Sequence, residues 1–275
     1  MPLPLVLLPL LAQVGPSGTQ MQAPLDLPKR KPIEIATPQT RMQQCLALVK
    51  SAPLDAVDTA EAWRDSVKGS ARAEPEHCLG LALSRLEQWD DAEQAFVAAR
   101  DDAAANEREL KARLGTMAGN AALAQGNAAQ AMAHLDQAHG DALGAGDGRL
   151  IGETALDRAR ALVALKRDND AATSLLEARE KTPRSAQAWL LSATLSRRQG
   201  KLDEAQTQIE RAAELEPVDP EIGLEAGVIA VLSGRDDAAR KSWQSVIAAA
   251  PASELAKTAK SYLDQLGDPA APSAR

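Results

Sequence analysis

Residues 183–217, PRSAQAWLLSATLSRRQGKLDEAQTQIERAAELEP, begin and end on proline, and the next proline of this series follows at the same interval. Pro183, Pro217 and Pro251 stand 34 residues apart, and so do Gly200 and Gly234, and Ala205 and Ala239. Self-similarity at such a period predicts stacked units rather than one globular core. Within the quoted stretch the apolar residues recur at three- and four-residue spacing in two runs separated by Gly200, the pattern of two amphipathic helices. Neither helix can bury its stripe alone, and stacking solves that. Ala193 and Ala205 are small where the two helices would cross, Gly200 suits a positive-φ turn, and the closing proline stops the second helix.

Trp189, Ala193, Gly200, Ala205, Ile209, Ala212 and Pro217 together resemble the signature of the tetratricopeptide repeat family. CLGLALSRLEQWDDAEQAFVAA, with Leu79, Gly80, Ala92, Phe96 and Ala99, is similar. So is LGTMAGNAALAQGNAAQAMAHLDQA, with Gly119, Gly126, Ala131, Leu135 and Ala138. The resemblance covers residues 73–267 and is closest from 152 onward. The leader, the cysteine pair and stretches such as LDRARALVAL further resemble exported tetratricopeptide proteins of alphaproteobacteria. What the family implies is an all-α, right-handed superhelical solenoid of helix-turn-helix repeats that binds a protein or peptide in its concave face.

The expected layout follows from these landmarks. Residues 1–14, MPLPLVLLPLLAQV, read as a signal peptide cut near Ala12, without the usual preceding Lys or Arg. Residues 15–38 form a proline-rich linker, 39–72 a degenerate helical pair split at Pro53, and 73–253 an array of about five repeats. Residues 254–267 supply a capping helix with Leu255, Ala259, Tyr262, Leu263 and Leu266 on one stripe, and 268–275 a disordered tail. GDALGAGDGR, residues 140–149, is expected as a loop that absorbs the excess over a 34-residue unit. Export places the mature chain in the periplasm without a membrane span; a cytoplasmic location is the alternative.

Composition narrows the chemistry. The net charge of −7 is spread over helix faces, and the one basic cluster, Lys29 to Lys31, is short, which argues against nucleic acid as a partner. Aromatic residues are few: Trp63, Trp89, Phe96, Trp189, Trp243 and Tyr262. His77, His134 and His139 lack metal-site spacing and are expected on the surface. Asp90 and Asp91, and likewise Asp236 and Asp237, are expected at the starts of second helices as dipole partners and caps. No phosphate loop, nucleophile elbow or HExxH is present, so no catalytic constellation, cofactor or metal is expected.

On the repeat register Cys45 and Cys78 fall on first helices of neighbouring units, toward one face; an oxidising compartment would join them, and two separate buried thiols are the alternative. Family geometry implies that Met117, Asn120, Asp157, Arg160, Leu191, Thr194, Arg198 and Glu225 line the concave groove. Position five of the first helices, held by Thr116, Leu156, Leu190 and Leu224, lacks the lysine of carboxylate-clamp members. The expected function is a non-enzymatic scaffold holding a protein or peptide in that groove. The alternative is a structural subunit of an envelope complex that uses its ends or convex face. The partner's identity and the oligomeric state stay open.

Overall fold

The structure, a computed structural model, describes residues 40–267; the leader, the proline-rich segment and the tail lie outside them. The described residues form thirteen α-helices and one short 3-10 helix, with no strand among them. The first pair is α1 (Arg41–Ser51) and α2 (Pro53–Asp65). Five more pairs follow. They are α3 (Ala73–Arg85) with α4 (Trp89–Asp102), α5 (Arg108–Ala124) with α6 (Ala128–Ala145), and α7 (Gly148–Ala164) with α8 (Asp168–Lys181). The last two are α9 (Ala186–Arg198) with α10 (Leu202–Leu215), and α11 (Pro220–Leu232) with α12 (Asp236–Ala249). α13 (Glu254–Leu266) packs on α12 and α11. The chain is an all-α repeat solenoid.

Each of the five later pairs turns in the same way. The second residue after the first helix adopts a left-handed backbone: Glu87, Gly126, Lys166, Gly200 and Gly234. The next amide then bonds back across the turn, as Gln88 N to Leu83 O at 3.0 Å, Asn127 N to Ala122 O at 2.9 Å and Lys201 N to Ser196 O at 2.9 Å. This arrangement satisfies the carbonyls that a helix end leaves without partners. Glycine serves at three of the five turns because it adopts this conformation without steric cost.

The connections between pairs obey a different rule. Thr182, Glu216 and Ala250 each precede a proline and are held outside the helical region, so the second helix stops there. Ser185, Asp219 and Ser253, again 34 residues apart, then cap the next helix through Ala188 N (3.3 Å), Ile222 N (3.1 Å) and Ala256 N (3.1 Å).

Inside each pair, one small residue on the first helix meets one large residue sixteen positions later. Gly80 faces Phe96, Gly119 faces Leu135 and Gly227 faces Trp243, while Ala159 with Leu175 and Ala193 with Ile209 are core pairs. A Cβ at Gly80 or Gly119 would stand 2.6 Å from the opposing side chain. The core is accordingly a chain of local clusters, each joining neighbouring helices, rather than one interior.

Two expectations need correction here. The glycine-rich run 140–149 is not a loop: α6 continues through Gly140 and Gly144 to Ala145, and the excess residues lengthen α5, α6 and α7 to 17, 18 and 17 residues. Glycine weakens a helix by only about 1 kcal/mol, which packing can offset. At Gly144 its absent side chain admits Arg108, the first residue of α5. The acidic doublets do stand in the first turns of α4 and α12, but the cap positions are Gln88 and Arg235, without side-chain caps.

Candidate binding groove

The first helices α5, α7, α9 and α11 carry the residues expected to line the groove, and the repeat brings the same positions into rows. One row runs Asn120, Arg160, Thr194, Val228 and Tyr262; another runs Arg198, Leu232 and Leu266. First helices pack directly between α5 and α7 and between α9 and α11, and Leu195 and Leu191 of α9 join the cluster that holds Ala159 and Leu162 of α7.

The structure ties Asn120, Asp157 and Arg160 into one network. Asn120 Nδ2 donates to Asp157 Oδ2 at 3.1 Å across the α5–α7 boundary, and Arg160 pairs with Oδ1 of the same carboxylate. Asp157 is only 8% exposed, so both oxygens need these donors. The Arg160 side chain keeps 38% of its surface exposed. Asp157 is therefore an internal brace, while Asn120 and Arg160 are the members of the network that reach the surface.

Glu225, on α11, is also engaged within the chain: Arg197 Nε and Nη2 approach its two carboxylate oxygens at 2.6 and 3.3 Å. Arg197 was not among the expected groove residues, although it lies 34 residues before Val231 at a matching position. Arg198 differs from its neighbour. Its side chain is 45% exposed, and its one ion pair is a 4.0 Å approach to Asp168. Met117 and Leu191 are half-buried and pack against core clusters, and Thr194 is half-buried.

Beyond α9 the wall changes character. Val228, Val231 and Leu232 on α11 and Tyr262, Gln265 and Leu266 on α13 occupy matching positions and enclose a depression of about 420 Å³ against Trp243. Trp243 is fixed there by a bond from Nε1 to Leu224 O at 3.1 Å, with the Tyr262 ring 5.2 Å away. Sequence comparison of position nine across units would have exposed this change, since Asn, Arg and Thr give way to Val and Tyr.

Cys45 on α1 and Cys78 on α3 form a disulfide and are both fully buried. The histidines are not surface residues. His139 is buried, with Nδ1 2.9 Å from Thr154 Oγ1 and Nε2 3.4 Å from Glu177. His134 Nε2 lies 2.8 Å from the buried Glu93, which also accepts from Gln125 Nε2 at 2.8 Å. His77 packs against Phe96 with its Nε2 buried and without a hydrogen-bond partner. Burial pushes His77 and His139 below the usual histidine range. Among the described residues no group of three His, Cys, Asp or Glu side chains is placed to hold a metal ion, and no helix is long and apolar enough to cross a membrane.

Comparison with known proteins agrees with this architecture. Residues 156–205 and 192–254 match the tetratricopeptide repeat family model. No curated protein matches the chain in sequence. Among solved structures, Pseudomonas aeruginosa PilF is similar with a TM-score of 0.64 at 14% identity, over 81% of this chain and 96% of that one. PilW, a widely conserved type IV pilus biogenesis factor, aligns with a TM-score of 0.64 at 17% identity over 79% and 96%. A thermophilic tetratricopeptide protein of Thermus thermophilus, TTC0263, aligns with a TM-score of 0.56 at 22% identity over 70% and 98%. At these identities the likeness speaks for the fold. The matched repeats, the recurring turns and the small-against-large pairs together make residues 156–254 tetratricopeptide repeats.

Proposed function

We propose that the chain is a non-enzymatic scaffold that holds a segment of a partner protein along the wall formed by its first helices. The observation that carries this reading is the row of matching positions, which presents Asn120, Arg160, Thr194 and Val228 from the first helices of successive repeats. A row with one side chain per repeat suits a ligand that runs across several repeats, with donors from Arg160 and Arg198 and apolar contact beside them. Met117, Asp157, Leu191 and Glu225 serve this surface from beneath, as packing and as carboxylate partners. We place the protein in the cell envelope. A buried Cys45–Cys78 bond suits an oxidising compartment, and residues 1–14 have the composition of a signal peptide.

The test is titration of a captured partner by calorimetry. Arg160→Ala should weaken binding by about 1–3 kcal/mol, the loss of a charged hydrogen bond. Asn120→Ala removes one donor from the buried Asp157 carboxylate and should weaken binding less. Helical content by circular dichroism should be unchanged in both. Equal affinity in wild type and both variants would move the interface to another face. The second reading, a structural subunit using the convex surface, is favoured by a depression of about 520 Å³ between α6 and α8, where Leu176 is exposed beside Asp136, Arg158 and Glu180. Under it, Leu176→Asp rather than Arg160→Ala would abolish capture.

A further inference from the structure

The groove is not uniform along its length, and the change between α9 and α11 points to the chemistry of what binds. Thr194, Arg197 and Arg198 on α9 stand at the positions that Val228, Val231 and Leu232 fill on α11 and that Tyr262, Gln265 and Leu266 fill on α13. Three polar side chains are thus followed, one repeat later, by three apolar ones.

The apolar end is open. Leu232 is 53% exposed, and no charged residue lines the depression of about 420 Å³ bounded by Val228, Val231, Leu232, Tyr262 and Leu266. α11, PEIGLEAGVIAVL, is apolar on nearly every side, as a helix covered on both faces would be. Trp243 is held rigid at the wall of the depression by its bond to Leu224 O, so the cavity is pre-formed.

The polar end offers one cation that the chain itself does not neutralise well. Arg197 is taken by Glu225 through two contacts, whereas Arg198 meets only Asp168 at 4.0 Å. Arg198 stands on α9, the first helix of the repeat before the apolar depression, and α9 packs on α11. Packed helices lie about 8–10 Å apart, and an extended chain advances about 3.3 Å per residue, so the two features are spaced about three residues apart along a strand-like ligand.

We propose, building on the groove reading above, that this end of the groove selects an extended peptide segment. That segment carries a large apolar side chain for the α11–α13 depression and an internal Asp or Glu about three residues away for Arg198. The apolar side chain supplies the buried anchor, and the carboxylate sets direction and register.

The experiment selects random peptides displayed on phage against the full chain and then titrates a synthetic copy of the selected sequence. The proposal expects Leu, Ile, Phe or Met spaced about three residues from Asp or Glu. Leu232→Glu should weaken that peptide about tenfold or more, as loss of an anchor does. Arg198→Glu should weaken it similarly and restore binding to a peptide with Lys in place of the acid. Circular dichroism controls for folding, and exposed Leu232 and Arg198 tolerate charge change. Affinity unchanged in both variants but lost in Arg160→Ala would overturn this inference while leaving the groove reading in place. Selected peptides indifferent to all three variants would overturn both. Failure to select peptides, with self-association of wild type that Leu232→Glu disperses, would assign the depression to a second copy. Failure without self-association would leave it without a ligand of this class, and each of these results overturns the proposal.

Discussion

Glu87 and Lys166 hold a left-handed backbone, φ 59° and 61°, at the turns where Gly126, Gly200 and Gly234 stand in the sister repeats. A side chain in that conformation costs about 1–2 kcal/mol, part of which glycine gives back through its greater freedom in the unfolded chain. Lys166→Gly should therefore raise stability by about 0.5–1 kcal/mol in denaturant titration. The opposite holds where glycine makes room for a neighbour: a Cβ on Gly227 would collide with the rigid indole of Trp243. Gly227→Ala should destabilise by about 1–3 kcal/mol, the range for overpacking, and calorimetric unfolding of the pair of variants would show the two signs side by side. Protons offer a third residue-level test. Desolvation lowers the folded-state pKa of His77 and of His139, the latter despite Glu177 and Asp136 nearby and with Arg158 acting in the same direction as burial. The unfolded chain then binds protons that the native chain refuses, so stability present near pH 7 is lost as pH falls below about 6.5. Glu76, whose pKa burial raises, acts with the opposite sign at lower pH. Thermal midpoints should fall between pH 7 and pH 5.5, and a flat profile over that window would contradict the assignment.

At the scale of the element, α1 depends on its disulfide more than any other helix depends on one residue. Cys45 is its only buried side chain, and the bond to Cys78 spans 33 residues of sequence. In the chain-entropy account such a crosslink contributes about 3–4 kcal/mol. Because a repeat array transmits little stability beyond nearest neighbours, Cys45→Ala with Cys78→Ala should release α1 and loosen α2 while sparing α5 to α10. Hydrogen exchange would show lost protection confined to residues 41–65, and a uniform loss across the chain would sink the expectation. The elements themselves were largely legible in the sequence, because proline stops, turn glycines and the small residues at Gly80, Ala193 and Ala205 are local chemistry with a fixed period. What escaped was non-local. Nothing in the run 140–149 announces that α6 continues through its glycines, since the reason at Gly144 is the side chain of Arg108 from another helix. Likewise the Arg197–Glu225 and Glu93–His134 contacts join residues 28 and 41 positions apart, and only the stacking of helices brings them together. Half of the wall is visible as a register, but which of its charges are already paired is not.

Taken as a whole, the described chain is a row of clusters in which each interface belongs to neighbours alone, and this decides how it should come apart. α11 is shared between two of them: Ile222 and Ile229 join the α9–α11 cluster, while Ala230 joins Trp243, Val246 and Ala259 in the α11–α13 cluster. α13 covers the second cluster, with Ala256 and Ala259 fully buried and the Tyr262 ring tilted against Trp243. Ending the chain after Pro251 would uncover Trp243 and the apolar side of α11, and the energy lost would be local, since α3 to α10 make no use of α13. Amide exchange of the shortened chain should therefore rise across residues 220–249 while residues 108–215 keep their protection. Exposure of so much apolar surface should also bring concentration-dependent association, which Leu232→Glu should relieve. Protection lost evenly over all helices would mean that the repeats melt as a single unit, and the nearest-neighbour account of this array would have to be abandoned.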